Sequence, residues 1–349
     1  MSAFPEFLPW QHDLASAWLT QRERFAHAWL IHGMPGIGKQ RFALAAAASL
    51  LCASPIDGLA CGQCQDCQWI RSGNHPDLRR IRPDAVAAEE GIAQSADDAA
   101  PATSKNPSRE IRIDQLRELG SWFNTATHRG GWRVAVLYPA RAMNVISANA
   151  LLKVLEEPPA HTVFLLVADA PDQLLPTLLS RCRRLPLPVP PVQDSLDWLT
   201  GQGVDKPADW LAAASQAPLR AWQMAQDREQ ACPDWVSDLL RLAASNATNP
   251  DLGAVADRLE KIAPEVWIDT LQRLFVDLSL ARHQLAPRYF PSLQALEPLA
   301  ARTSSRNVAE ISRWLAEQRA VASHPLNTRL FVHAVLQRVI QACQPATVA

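Results

Sequence analysis

The chain carries two runs of residues whose types and spacing could do chemistry. The first, His32-Gly33-Met34-Pro35-Gly36-Ile37-Gly38-Lys39-Gln40, matches a phosphate-binding P-loop at every position but the last. Gly33, Gly36 and Gly38 let the backbone turn its N–H groups toward phosphate oxygens, and Lys39 is placed to reach the β- and γ-phosphates. At the final position the pattern asks for Ser or Thr, whose hydroxyl ligates Mg²⁺, and this chain has the longer, neutral amide of Gln40. Phosphate binding is expected to survive that change, and metal positioning is not. The second run is Cys52, Cys61, Cys64 and Cys67, four of the seven cysteines, spaced C-x8-C-x2-C-x2-C. Four thiolates can close a tetrahedral Zn²⁺ shell and leave no open position, so a structural zinc is expected, with redox CxxC chemistry or free thiols as the alternatives. Cys182, Cys232 and Cys343 are scattered and read as buried free thiols.

The elements around these residues have an α/β rhythm. A strand at Ala28 to Ile31 leads into the P-loop and a helix from Arg41 to Leu51 leaves it. An amphipathic helix is expected from Asp114, its N-cap, to about Asn124, and buried strands at 133–137 and 162–167. A helix at about 173–179 and a short strand at 183–187 flank Ser180-Arg181-Cys182. The strand at 133–137 ends in Tyr138-Pro139, where a working P-loop ATPase places an acidic metal-holding residue. Neither Tyr138 nor Pro139 can act as metal ligand or base, so with Gln40 both metal-holding parts are missing. The sequence therefore predicts no self-contained hydrolysis, and nucleotide binding at Lys39 stays open. Residues 83–108, rich in Ala, Asp, Ser and Pro, bury too little to hold a fold and read as a mobile insertion. Beyond the proline-rich joint at 186–191 helical periodicity takes over and no further residue cluster suggests chemistry.

A length of 349 residues calls for two or three domains, and 48% hydrophobic with 20% charged residues is ordinary for a soluble globular protein. No signal peptide and no apolar run of membrane-spanning length is evident, which predicts a cytoplasmic protein without membrane contact. A net charge of −1 gives no global attraction to nucleic acid. Twelve Trp against two Tyr has no functional account.

The succession His27-Ala28-Trp29-Leu30, GMPGIGKQ at 33–40, the four cysteines, His75-Pro76-Asp77, NALLKVLEEPP at 149–159 and LLSRCRRLPL at 178–187 closely resembles bacterial clamp-loader AAA+ subunits. That family contains motor subunits that hydrolyse ATP and a subunit whose nucleotide site has decayed, and Gln40, Tyr138 and Pro139 favour the second kind. The resemblance implies an α/β P-loop AAA+ module over 1–188, with an inserted zinc knuckle at about 52–77. A small helical lid over 189–230 and an all-α oligomerisation collar over 231–349 would follow. It implies that Arg181 is an arginine finger acting in trans on a neighbour's ATP site, and that Arg220 is a second, nucleotide-sensing arginine. The implied partners are the gamma/tau motor subunits and a delta subunit in a five-membered ring, the sliding clamp, and primed DNA through the assembled complex. The chain would then be a non-hydrolysing component of a DNA-directed DNA polymerase holoenzyme, a nucleotidyltransferase. The rivals are a motor-type ATPase drawing an acid from elsewhere, and a nucleic-acid-binding module built on the cysteines. Against the latter, residues 52–77 hold Arg71 as their only Lys or Arg and Trp69 as their only aromatic besides His75.

Overall fold

The computed structural model describes residues 4–21, 25–90, 107–123, 127–128, 130–227, 230–245, 250–322 and 327–344. The chain divides into two compact units, Met1–Asp194 and Ser195–Ala349. The first is built on a five-stranded parallel sheet of β1 (Ala28–His32), β2 (Leu78–Ile81), β3 (Arg133–Leu137), β4 (Thr162–Ala168) and β5 (Arg183–Pro186), in the order β2-β3-β4-β1-β5. The three inner strands are buried along almost their whole length, which is why they read as continuous apolar runs. Register pairs Ala168 with His32, so the residue after β4 emerges beside the loop that follows β1.

One face of the sheet is covered by α2 (Lys39–Leu51), which follows α1 (His12–Leu19) and in which Phe42, Ala43, Ala46 and Ala47 are inaccessible. Its small side chains let the helix press against β3 and β4. A second apolar cluster joins Leu30, Ala135, Leu137, Phe164 and Leu166 to α5 (Ile113–Phe123) and α6 (Val145–Glu156), through Leu116, Leu119, Leu151 and Leu155. The helix expected at 173–179 is shorter than the periodicity suggested: a 3-10 turn covers Pro171–Gln173, and α7 (Pro176–Leu179) starts afresh at a proline in its first turn. Within the insertion expected at 83–108, Asp84–Glu89 forms α4, tied by Asp84 to Arg112 at 2.8 Å and by the Ala85 N–H to the Ser108 carbonyl at 3.0 Å. Residues 91–106 of that insertion, and the expected helix end at 124, lie outside the described residues.

The second unit contains no strand among its described residues. A small core of Leu199, Val204, Leu211, Ala214 and Ala221 is followed by a larger one centred on Trp267, Leu271, Phe275, Leu299, Leu315 and Leu336. On the 19-residue helix Pro264–Arg282, Arg273 pairs with Asp269 and donates to the Ala213 carbonyl. Asp277 of the same helix is inaccessible and accepts from the backbone N–H groups of Arg288, Tyr289 and Phe290 at 2.7–3.1 Å. Among the described residues no helix is long and apolar enough to cross a membrane.

Candidate functional site

The loop between β1 and α2 has a backbone that demands its glycines. Gly33 has φ +154°, and a Cβ there would lie 2.6 Å from the Leu187 carbonyl oxygen, which belongs to a segment held by the Leu187 N–H donating to the His32 carbonyl at 2.7 Å. Gly36 and Gly38 have φ +79° and +93°, and Gly38 is the N-cap of α2. Carbonyl groups on the loop are engaged from the N-terminal segment: the Gln11 amide donates to Ile37 and Gly38 at 3.2 and 3.1 Å, and the Trp10 indole to Ile37 at 3.3 Å. Lys39 is only 5% exposed, and its Nζ donates to the Met34 carbonyl and pairs with Asp169 Oδ1 at 2.7 Å. Burial pulls the Lys39 ammonium below its usual range, while Asp169 opposes that shift. His32 is lowered too, first by burial and then by the charges of Arg184 and Lys39.

The two positions that ought to hold a metal are tied to one carboxylate. Gln40 Nε2 donates to Glu90 Oε1 at 2.6 Å, the Tyr138 hydroxyl donates to Glu90 Oε2 at 3.2 Å, and Arg82 Nε lies 3.0 Å from the same oxygen. Tyr138 is buried, which pushes its hydroxyl pKa up and keeps it a neutral donor. Neither Asp169 nor Glu90 stood out in the sequence. Glu90 follows α4 in a stretch whose composition signals no structure, and Asp169 follows a buried strand with no motif around it. The adjacency of β1 and β4 is what brings Asp169 to the loop.

The four cysteines are brought together as their spacing predicts. Cys52 ends α2, Cys64 is the N-cap of α3 (Gln65–Ser72) and Cys67 lies in its first turn. The Sγ atoms of Cys52 and Cys61 are 3.5 Å apart, those of Cys52 and Cys64 3.7 Å, those of Cys61 and Cys67 4.0 Å, and all four lie within 4.8 Å of one another. Zn–S bonds of about 2.3 Å in a tetrahedron would set sulfur atoms about 3.8 Å apart, so the donor set fits such a metal. Backbone N–H groups of Cys61 and Cys64 point at the sulfurs of Cys52 and Cys61 at 3.3 and 3.4 Å. Donation from the Gln63 and Cys64 backbones draws the Cys61 thiol down to about 6, whereas burial pushes Cys52 and Cys67 up. A bound cation would offset that last penalty. The knuckle is keyed to the sheet by His75, which is buried, lies 3.6 Å from Asp66 Oδ1 of α3 and accepts from the Asp77 backbone N–H at 3.1 Å.

Arg181 stands apart from both clusters. It follows α7 and ion-pairs with Glu156 at the end of α6, while a second nitrogen donates to the Thr177 carbonyl at 2.9 Å. Its side chain is 34% exposed. Arg220 is exposed on Pro218–Gln226 of the second unit. Gly33, Gly36, Gly38, Lys39 and Gln40 therefore form one constellation within the first unit, Cys52, Cys61, Cys64 and Cys67 another, and Arg181 belongs to neither.

Residues 14–191, just over half of the chain, match the family model described as DNA polymerase III, delta subunit. Over 223 residues the chain is 39% identical to DNA polymerase III subunit delta′ of Pseudomonas aeruginosa, covering 63% of this chain and 61% of that protein. It is 37% identical over 194 residues to subunit delta′ of Escherichia coli K12, covering 56% and 52%. A 159-residue stretch is 35% identical to DNA polymerase III subunit tau of Salmonella typhimurium, covering 46% of this chain and 21% of that one. The matched region thus spans a little over half the length of its delta′ relatives. On the family model that covers 14–191 and the delta′ proteins to which it is 37–39% identical, the chain belongs to the DNA polymerase III delta′ family.

Proposed function

We propose that the chain is a non-hydrolysing AAA+ subunit of the bacterial DNA polymerase III clamp loader, assisting ATP-driven placement of the sliding clamp on primed DNA. The observation that carries this reading is the pairing of Gln40 and Tyr138 through Glu90. Where a motor subunit would present a hydroxyl and an acid to Mg²⁺, this chain presents an amide and a phenol already engaged with a carboxylate. Arg181, partly exposed at the end of α7, would act in trans on the ATP site of a gamma/tau-type neighbour by stabilising charge on the transferring phosphoryl group. Cys52, Cys61, Cys64 and Cys67 would hold a structural Zn²⁺. The helical segments over 189–230 and 231–349 would serve as lid, carrying Arg220, and as collar in a five-membered ring with a delta subunit.

Steady-state ATP hydrolysis by a reconstituted loader, with this chain or its Arg181→Ala form and with the isolated chain as blank, tests the reading. A silent blank and a clear loss of turnover on substitution are expected. A silent blank with no effect of Arg181→Ala removes the finger and leaves an inert scaffold. The presence of Glu90 beside Gln40 favours one alternative, a motor that recruits its acid from outside the usual strand; Mg²⁺-dependent turnover in the blank would establish it.

A further inference from the structure

Lys39 is the residue through which a P-loop grips phosphate, and here it is already in use. Its ammonium has three donors. One reaches the Met34 carbonyl of the loop itself and another reaches Asp169 Oδ1 at 2.7 Å. With Lys39 5% exposed, its charge requires a close anion, and Asp169, whose side chain is 38% exposed, supplies one from the solvent side. The position of Asp169 is not an accident of rotamer choice: parallel pairing of Ala168 with His32 sets the next residue of that strand beside the start of the loop. Gly36 and Gly38 keep positive φ, and Gly38 still opens α2, so the backbone that would cradle an anion is intact.

We infer that Asp169 is a specificity-determining residue that holds the loop shut: its carboxylate takes the place of a phosphate on Lys39, and excludes polyphosphates by occupying that position and repelling their charge. The loop has not lost its affinity for phosphate; it satisfies that affinity internally. In a metal-dependent site a divalent cation would screen the repulsion, whereas here the Gln40 amide and the Tyr138 hydroxyl are donors already engaged with Glu90, whose charge is paired with Arg82. The ligand class to which the neutralised site would open is a polyphosphate, pyrophosphate or a nucleoside triphosphate, bound without metal. This inference rests on the non-hydrolysing reading above and concerns the same loop.

The test is titration calorimetry and thermal shift on the full chain with pyrophosphate and with a non-hydrolysable ATP analogue, each with and without Mg²⁺. No saturable binding by the native chain is expected. Asp169→Asn should bind both ligands at least about tenfold more tightly than the native chain, without Mg²⁺, because a charge a few ångströms from the bound phosphate is removed. Asp169→Ser, which also lacks the carboxylate, should do the same and guards against a folding defect peculiar to the amide. Asp169→Glu should stay closed, and Lys39→Ala added to Asp169→Asn should abolish the gain. Equal affinity in the native, Asn and Ser forms overturns the inference, as does a gain that persists without Lys39. Binding by the native chain without turnover overturns it while leaving the non-hydrolysing reading intact. Turnover by the native chain sinks that reading instead.

Discussion

Gln40 donates its side-chain amide to Glu90 at 2.6 Å, across the gap where a P-loop hydroxyl would otherwise face a metal. Because the same carboxylate also takes the Tyr138 hydroxyl and lies 3.0 Å from Arg82, it joins the loop, the end of β3 and the segment after β2. Restoring one missing part should therefore not restore catalysis. Gln40→Ser is expected to leave ATP turnover at the level of the native chain in a phosphate-release assay. Glu90→Ala strands three donors and should destabilise the first unit by about 1–3 kcal/mol in urea unfolding. Appreciable turnover in Gln40→Ser would show that Tyr138 is no obstacle.

The cysteine distances predict one metal per chain. Elemental analysis of the purified protein should find zinc at a one-to-one ratio, and Cys64→Ser should lower that occupancy severalfold. Chelation should raise amide exchange over residues 52–72 while leaving the central strands protected. Full protection of that segment in metal-free protein would mean that the knuckle holds itself together.

His32 supplies a pH dependence whose sign follows from its surroundings. Burial, Arg184 and Lys39 all disfavour its charged form, so its folded-state pKa lies below the unfolded value of 6.5. Above 6.5 both states are neutral and nothing is lost. As pH falls through that value and on through the lower folded one, the unfolded chain takes up the proton first and stability drops. Urea midpoints at pH 8 and pH 5 should therefore differ less in His32→Asn than in the native protein. An unchanged difference would assign the acid sensitivity elsewhere.

In the second unit Asp277 satisfies three consecutive backbone N–H groups of the 288–290 turn. An amide offers only one acceptor oxygen, and alanine none. Asp277→Asn should cost about 1–3 kcal/mol and Asp277→Ala more, with the loss read as a lowered midpoint in thermal or urea unfolding. Near-native stability of the alanine form would show that water replaces the carboxylate without penalty.

The parts of the site legible from sequence were those whose chemistry is written in local spacing. The glycines and Lys39 sit within one turn of chain, and Cys61, Cys64 and Cys67 recur every third residue, so one short window displays each pattern. The central strands were visible because burial on both faces leaves an unbroken apolar run. Asp169 and Glu90 were not legible, since what makes them matter is strand order. β4 lies between β1 and β3 although the chain visits β2 and β3 first, and no window of sequence contains that neighbourhood. The helix Asp84–Glu89 was hidden for a related reason: it is held by Ser108, at the far end of the stretch whose composition suggested no structure, and by Arg112 beyond it.

The helix α2 begins at Lys39 and ends against Cys52. Thirteen residues of helix amount to a rod about 20 Å long. The phosphate loop and the cysteine knuckle are therefore the two ends of one strut, clamped between a sheet that fixes its middle and side chains that fix each tip. A rotation of that rod would move Lys39 and Cys52 together, so the reach of the ammonium and the place of one sulfur are set by the same helix.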